Sequence, residues 1–220
     1  MKSLTNKIIK RSSKETSGKL PRNNYLKSHP SLSINGNGLE RYSKTPHRIA
    51  VIMVTDIVGY SNMICEDEEK TLDMLAKNTR IQRFLIEKYC GTWIKEMGDG
   101  ILSCFDSASM AVDCALEIQE CVHKVLGIQL YIGIHLSKVV FIREDVFGLG
   151  VNIAFRIQEL ALPGKIWASE SIANNTSDQK NFHWKLIGKQ KLKHINVPLR
   201  IYEIDGIHSP EEPNSLFHKK

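Results

Sequence analysis

Residues 92–105, TWIKEMGDGILSCF, indicate the fold class because they combine two short strand patterns with a tight turn. Gly98-Asp99-Gly100 separates the runs Thr92–Met97 and Ile101–Phe105, which is the pattern of a β-hairpin. Two strands joined by so short a turn are antiparallel. The stretch therefore predicts an antiparallel sheet with the carboxylate of Asp99 at a strand end.

The segments on either side of this hairpin alternate between strand and helix patterns. Upstream, Arg48–Val54 is a continuous apolar run typical of a central strand. Asp67–Tyr89 follows it and has apolar residues at helical spacing. Downstream, Ser107–Val125 shows the clearest helical stripe, and Gly127 is a typical helix stop. Strands and helices therefore alternate in the central part of the chain.

The C-terminal half continues this alternation. Ile128–Leu136 alternates apolar and polar residues and predicts a half-buried strand, with Lys138–Ile142 as its returning partner. Val151–Ala161 predicts a helix that ends before Pro163-Gly164. Further short strands are expected at Ile166–Ser169, His183–Leu186 and Leu199–Ile204. Helices on one face of a largely antiparallel sheet make an α+β domain.

Charge is concentrated at the N-terminus of this 220-residue chain. Residues 1–46 contain ten Lys and Arg against two Glu and show no apolar period, so we expect a disordered basic tail. It is either a solvated leader or a weak electrostatic contact to a membrane or an acidic partner; a nucleic-acid role has no other support. Residues 207–220 predict a second polar tail.

The five cysteines show no metal-ligand spacing. Their odd number and their place in apolar segments predict reduced core thiols and a cytoplasmic protein. No apolar run approaches the length of a membrane span.

Two aspartates are candidates for holding metal ions. Asp56 and Asp99 each follow an apolar strand and precede or occupy a glycine-containing turn. Paired carboxylates suit hard divalent cations, and backbone N–H groups of the turn Ile57–Ser61 could cradle a triphosphate. Aspartate is also common in tight turns for purely local reasons. Taken singly, either residue fits that simpler explanation.

Two further pairs of residues suggest nucleotide chemistry. Asn152 and Arg156 are four residues apart and share a helix face, where Arg can donate to phosphate oxygens. Lys95 and Asp145 offer one donor and one acceptor, which complements the edge of adenine and opposes that of guanine. A solvated polar stripe would explain the helical pair alone.

Taken together, these residues resemble the class III nucleotidyl cyclase catalytic domain, most closely its adenylate cyclases. The resemblance runs from about Arg48 to Ile204. It is carried by five blocks in family order: VTDIVGYS (54–61), IKEMGDGILSCF (94–105), YIGIHLSKVV (131–140), DVFGLGVNIAFRIQELALPGKIWAS (145–169) and KLKHINVPLRIYEI (191–204). It implies a ferredoxin-like antiparallel-sheet core and a catalytic domain over residues 47–206.

The resemblance also implies roles for individual residues. Two divalent cations, Mg or Mn, would bind Asp56, Asp99 and the carbonyl of Ile57. Lys95 and Asp145 would select adenine, Asn152 would position the ribose, and Arg156 would stabilise the transferring phosphate. Lys193 would contact the terminal phosphates, in addition to the backbone N–H groups of the turn residues Val58, Gly59, Tyr60 and Ser61.

The implied reaction converts ATP to 3′,5′-cyclic AMP and pyrophosphate by attack of the ribose 3′-hydroxyl on the α-phosphate, with Asp56 or water taking the proton. The implied assembly is a head-to-tail homodimer in which each site combines Asp56 and Asp99 of one chain with the remaining residues of the other. The alternatives are a guanylate or dual-specificity cyclase and a catalytically silent domain that binds a nucleotide or partner.

Four positions depart from the family pattern. Phe155 stands where a small residue is usual, His194 and Ser137 stand where Gly is common, and Val54 replaces a usual Phe. None of these changes removes a reacting group, so they bear on the rate of the reaction and leave its class unchanged.

Overall fold

The computed structural model describes residues 46–177 and 182–207, with only the backbone described for residues 205–207. The tails predicted at 1–46 and 207–220 lie outside the described residues, apart from Pro46 and from Ile207, which ends the last strand. The strands are Arg48–Ile57 (β1), Thr92–Met97 (β2), Gly100–Phe105 (β3), Leu130–Ile142 (β4), Asp145–Phe147 (β5), Ile166–Ser169 (β6), Phe182–Gln190 (β7) and Leu199–Ile207 (β8). The helices are Tyr60–Glu66 (α1), Glu68–Lys88 (α2), Ala108–Leu126 (α3), Leu149–Leu160 (α4) and Glu170–Thr176 (α5).

The strands form one sheet in the order β2-β3-β1-β4-β6-β8-β7, and β5 pairs with β4. All neighbours are antiparallel except β4 and β6. The first half of the chain thus runs strand, helices, two strands, helix, strand, with β1 between β3 and β4. This is the ferredoxin-like arrangement, and the predicted α+β class is confirmed.

Helices cover both faces of this sheet, whereas the sequence indicated one. The pleat of β1 sends Val51 and Met53 into a core built with α2, α3 and α5. It sends Ile52 and Val54 to the opposite side, where α4 packs. Helix α4 lies on the opposite face from the other helices because its apolar stripe packs against apolar side chains of the sheet. An antiparallel sheet often leaves such a face exposed to solvent.

Gly133 explains how closely α4 approaches the sheet. A Cβ at this position would lie 2.4 Å from the backbone nitrogen of Gln158 and 2.5 Å from the carbonyl oxygen of Ala154, both in α4. Only a residue without a side chain allows this distance between helix and strand. The helix is therefore seated directly on the backbone of β4.

Strand β4 differs from its prediction in two ways. It continues without a break to Ile142, so Lys138–Ile142 belongs to the same strand: Lys138 and Val139 still pair with β1, and the last three residues pair with β5. Its centre is buried on both faces because α4 covers the polar side, and His135 is only 7% exposed. The periodicity of a strand indicates its two faces, but it does not reveal which strands pair with it or whether a helix covers it.

The predicted long helices and the hairpin are confirmed. The side chain of Asp67 caps α2 by accepting from the N–H of Lys70, and Gly127 ends α3 with a left-handed backbone conformation. Helices α1 and α5, of seven residues each, were not predicted because such short helices show little periodicity.

All five cysteines are described, and each is a free thiol. Cys104 and Cys114 are buried, but Cys65 and Cys90 are exposed, so the expectation of core thiols holds for only part of the set. Across the described ranges, no helix combines the length and apolar character needed to cross a membrane.

Candidate active site

The carboxylates of Asp56 and Asp99 meet at one end of the sheet. Strand β1 carries Asp56 next to its last residue, and the β2–β3 turn carries Asp99. Asp99 Oδ2 accepts from the backbone N–H of Ile57 at 3.2 Å. Burial, together with the negative charge and hydrogen bonding of Asp99, raises the pKa of Asp56 to about 7. Two acids with this electrostatic conflict favour a cation between them.

The residues present fit divalent cations that bind together with a phosphorylated substrate. Within the described ranges, no group of three or more His, Cys, Asp or Glu side chains could hold a metal. Two carboxylates are nevertheless enough for Mg²⁺, which commonly binds one or two protein carboxylates together with substrate phosphates. Gly100 keeps this corner open, because a Cβ there would lie 3.2 Å from Asp56 Oδ1.

The turn after β1 offers fewer free donors than the sequence indicated. The N–H of Ile57 binds Asp99, and the N–H of Val58 donates to the carbonyl of Gln129 at 3.0 Å. Gly59 adopts a positive φ of 75° and starts α1. The N–H groups of Tyr60 and Ser61 lie in the first turn of that helix, where backbone donors have no intrahelical acceptor. The predicted phosphate contacts of this turn are therefore limited to backbone donors at the start of α1.

Lys95 and Asp145 are joined although they are 50 residues apart. Lys95 Nζ donates to Asp145 Oδ2 at 2.7 Å, and Asp145 Oδ1 accepts from the N–H of Val146 at 2.8 Å. Burial alone would raise the pKa of Asp145, but these hydrogen bonds and the charge of Lys95 lower it. Both side chains remain partly exposed, at 44% and 33%. The pair is therefore charged and accessible to a ligand.

Helix α4 presents Asn152 and Arg156 as the sequence predicted. Asn152 is exposed and Arg156 is partly buried. Arg156 Nη1 donates to both carboxylate oxygens of Glu159 at 2.6 Å. Sequence reasoning missed Glu159, although its spacing of three residues from Arg156 is the signal for such a pair. A phosphate bound by Arg156 would compete with this carboxylate.

Lys193 lies in the loop between β7 and β8, where it is exposed beside the buried Leu192. His194 follows with a positive φ of 63°, which explains why a glycine suits this position. The loop carries the predicted phosphate contact on a different part of the sheet from Asp56.

A cleft of about 430 Å³ lies beside Asp56, on the face that α4 covers. Its lining consists of strand residues and one side of α4: Val54, Thr55, Asp56, Met97, Gly100, Tyr131, Phe155, Gln158 and Glu159. Phe155, which departs from the family pattern, thus narrows the space between α4 and the metal-binding candidates. Of the predicted site residues, this cleft includes only Asp56.

The predicted residues therefore form separate groups within one chain. Asp56 contacts Asp99, Lys95 contacts Asp145, and α4 and the β7–β8 loop carry the others.

Ser137, which also departs from the family pattern, is accommodated by Gly150, where a Cβ would lie 2.3 Å from the Cβ of Ser137.

Comparisons with known proteins identify the family of the chain. The sequence profile of the adenylate and guanylate cyclase catalytic domain matches residues 42–206. A protein of Rhizobium meliloti (strain 1021), provisionally named adenylate cyclase 3, is 30% identical over 177 residues. That match includes 77% of this chain and 30% of the relative, so the chain spans less than a third of that protein.

Solved structures show the same fold. An adenylate/guanylate cyclase/hydrolase from Silicibacter pomeroyi superposes with a TM-score of 0.64 at 30% identity, over 72% of this chain and 97% of the other. The adenylyl cyclase CyaB of P. aeruginosa gives 0.68 at 20% identity, over 73% and 95%. The chain therefore belongs to the family of adenylate and guanylate cyclase catalytic domains.

Proposed function

We propose that this chain is an adenylate cyclase that converts ATP to 3′,5′-cyclic AMP and pyrophosphate. The observation that carries the proposal is the contact between Asp56 and Asp99, two acids that a cation would relieve. The Lys95–Asp145 pair supports ATP as the substrate. Its lysine would donate to a ring nitrogen of adenine, and its carboxylate would accept from the amino group. Guanine presents a carbonyl and an N–H there and would meet the wrong partners.

Each group has a defined task in this reaction. The 3′-oxygen forms a bond to the α-phosphorus and gives its proton to Asp56 or water, while the bond from that phosphorus to the bridging oxygen of pyrophosphate breaks. Asp56, Asp99 and the carbonyl of Ile57 would hold two divalent cations, which when bound supply Lewis-acid activation of the hydroxyl and neutralise phosphate charge. Arg156 would leave Glu159 and donate to the α-phosphate as negative charge develops there. Asn152 would hold the ribose in line for attack.

The separation of these groups supports a shared site in a homodimer. Asp56 lies at the end of β1 and Asp99 in the neighbouring β2–β3 turn, whereas Asn152 is exposed on α4 and Lys193 lies in the β7–β8 loop. Phe147 is 47% exposed and Leu149 is 60% exposed next to Asp145, so this part of the surface is apolar. A second chain packed head to tail against it would bring its own Asp56 and Asp99 to the adenine-binding and phosphate-binding groups.

Product analysis with purified protein tests the reaction. ATP and GTP are each supplied with Mg²⁺ or Mn²⁺, and Asp56→Ala is compared with Asp73→Ala, which removes an exposed carboxylate on α2. We expect cyclic AMP from ATP, its loss in Asp56→Ala, and little change in Asp73→Ala. A folded dimer that forms no product would contradict the proposal and indicate a silent nucleotide-binding domain.

Base selection has its own test. Replacing Lys95 by Glu and Asp145 by Cys reverses the donor and acceptor pattern, so we expect activity to shift from ATP toward GTP. A double variant that keeps its preference for ATP would show that other residues select the base.

Mixing two inactive variants tests the shared site. Asp56→Ala and Arg156→Ala lose different halves of the site, so a mixed dimer regains one complete site. Random mixing would then restore about a quarter of the wild-type activity, because half of the dimers are mixed and each has one intact site of two. Absence of complementation in mixed dimers would contradict the head-to-tail arrangement.

A further inference from the structure

A chain of buried polar side chains links the end of β1 to α2. Thr55 Oγ1 donates to Gln82 Oε1 at 2.8 Å, and Gln82 Nε2 donates to Asn78 Oδ1 at 2.9 Å. Thr55 is 1% exposed, and Gln82 and Asn78 are fully buried. Apolar residues of the same helix, including Ile81 and Leu85, surround this region in the core. The three side chains form a polar connection inside an otherwise apolar layer.

Stability alone does not explain this connection. Asn78 Nδ2 is buried and has no hydrogen-bond partner among the described atoms. A buried donor without an acceptor is costly, whereas apolar side chains of the same shape would be neutral or stabilising. A buried polar group kept at such a cost is expected where it orders a functional part of the molecule.

The connection reaches the strand immediately before the candidate metal ligands. Thr55 precedes Asp56 and Ile57, and the pleat sends its side chain toward α2 while that of Asp56 points to the opposite face. Because the bond from Thr55 to Gln82 resists rotation of this segment, it limits the directions available to the Asp56 carboxylate and the Ile57 carbonyl. A shift of α2 would therefore be transmitted to both ligands.

We propose that Thr55, Gln82 and Asn78 act as positioning residues for the metal-binding end of β1. This inference depends on the proposed function, since it assumes that Asp56 and Ile57 hold cations. Partners that orient metal ligands contribute strongly to metal affinity even though they do not touch the ion. The connection thus ties the metal ligands to the position of a helix on the opposite face of the sheet.

Mn²⁺ binding to the full chain, followed by the electron paramagnetic resonance signal of the free ion, tests this proposal. Thr55→Val keeps the shape and removes the donor, and we expect the dissociation constant for Mn²⁺ to rise about tenfold. Thr55→Ser retains the hydroxyl and should stay within about twofold of the wild type. Ile86→Val, a fully buried change on α2, should lower the melting temperature and leave Mn²⁺ binding unchanged.

Wild-type Mn²⁺ affinity in Thr55→Val would overturn the inference, as would an equal weakening in Ile86→Val or the absence of saturable binding in the wild type. If Thr55→Val does not fold, Gln82→Met removes the same hydrogen bond from the side of α2, and wild-type Mn²⁺ affinity in that variant would equally overturn the inference. Formation of cyclic AMP by the wild type is measured separately and decides the proposed function, so the two failures are distinguishable.

Discussion

The substitution Gly133→Ala should displace α4 from the sheet and reduce catalytic activity by a larger factor than its modest effect on stability would suggest. The added Cβ would lie 2.4 Å from Gln158 N and 2.5 Å from Ala154 O. The N–H of Gln158 and the C=O of Ala154 are four residues apart, which is the spacing of one backbone hydrogen bond in α4. Neither group can therefore rotate away from the added Cβ. Ordinary contact requires about 1 Å more, and α4 must therefore move away from the sheet by roughly that distance.

Two effects of different size follow from this displacement. Overpacking of a well-packed interior costs about 1–3 kcal/mol of unfolding free energy. For a domain of this size, that corresponds to a fall in melting temperature of roughly 2–10 °C. Activity should fall further, by about 100-fold, because α4 carries Asn152 and Arg156 and a misplacement of 1 Å is costly for a positioned reaction.

Thermal denaturation and cyclic AMP formation are measured on the same preparations. Gly127→Ala is the control, since its φ of 70° brings backbone strain but a Cβ there has nothing within 4 Å. We expect it to lose about 1 kcal/mol of stability and to keep its activity at temperatures where it is folded. A Gly133→Ala protein with wild-type melting temperature and turnover would refute the reasoning on α4.

Three further outcomes are expected. His194→Gly should raise the unfolding free energy by about 1 kcal/mol in urea titrations, because it relieves a φ of 63°; no gain would contradict the strain. Burial lowers the pKa of His135 from 6.5 to about 4, so the unfolded chain binds the proton more readily and stability should fall as pH drops through that window. The unfolding free energy should be lower at pH 5 than at pH 7 in the wild type, and this difference should be smaller in His135→Gln. Equal differences in the two proteins would show that other groups cause the loss of stability. Asp99→Asn should raise the melting temperature of the metal-free protein by relieving Asp56, and should abolish the rise that Mn²⁺ causes; a retained Mn²⁺ effect would place the ion elsewhere.

Local patterns were sufficient for most of the secondary structure. The hairpin at Gly98–Gly100 and the helices after Asp67 and Ser107 were predictable because turn residues, caps and apolar spacing act over a few residues. The continuation of β4 through Lys138 was not, since one long strand whose ends pair with different partners has the same local pattern as two strands.

For the candidate site residues too, the sequence predicted their identity and the structure supplied their contacts. Asp56, Asp99, Lys95, Asp145 and the pair on α4 could be named from the sequence, because their types and order carry the family resemblance. Their contacts could not be named. The Lys95–Asp145 bond joins residues 50 positions apart, and the N–H of Val58 is occupied by the carbonyl of Gln129, which lies just before β4.

The amino-acid sequence by itself determined which groups are available for chemistry, because a carboxylate, a guanidinium or a glycine turn is a property of one short segment. Only the tertiary structure decided that α4 lies on the face opposite the other long helices, that Lys95 donates to Asp145, and that a buried chain from Asn78 ends beside Asp56. Each of these depends on how side chains from distant segments share a limited space. Packing of that kind is a property of the whole fold.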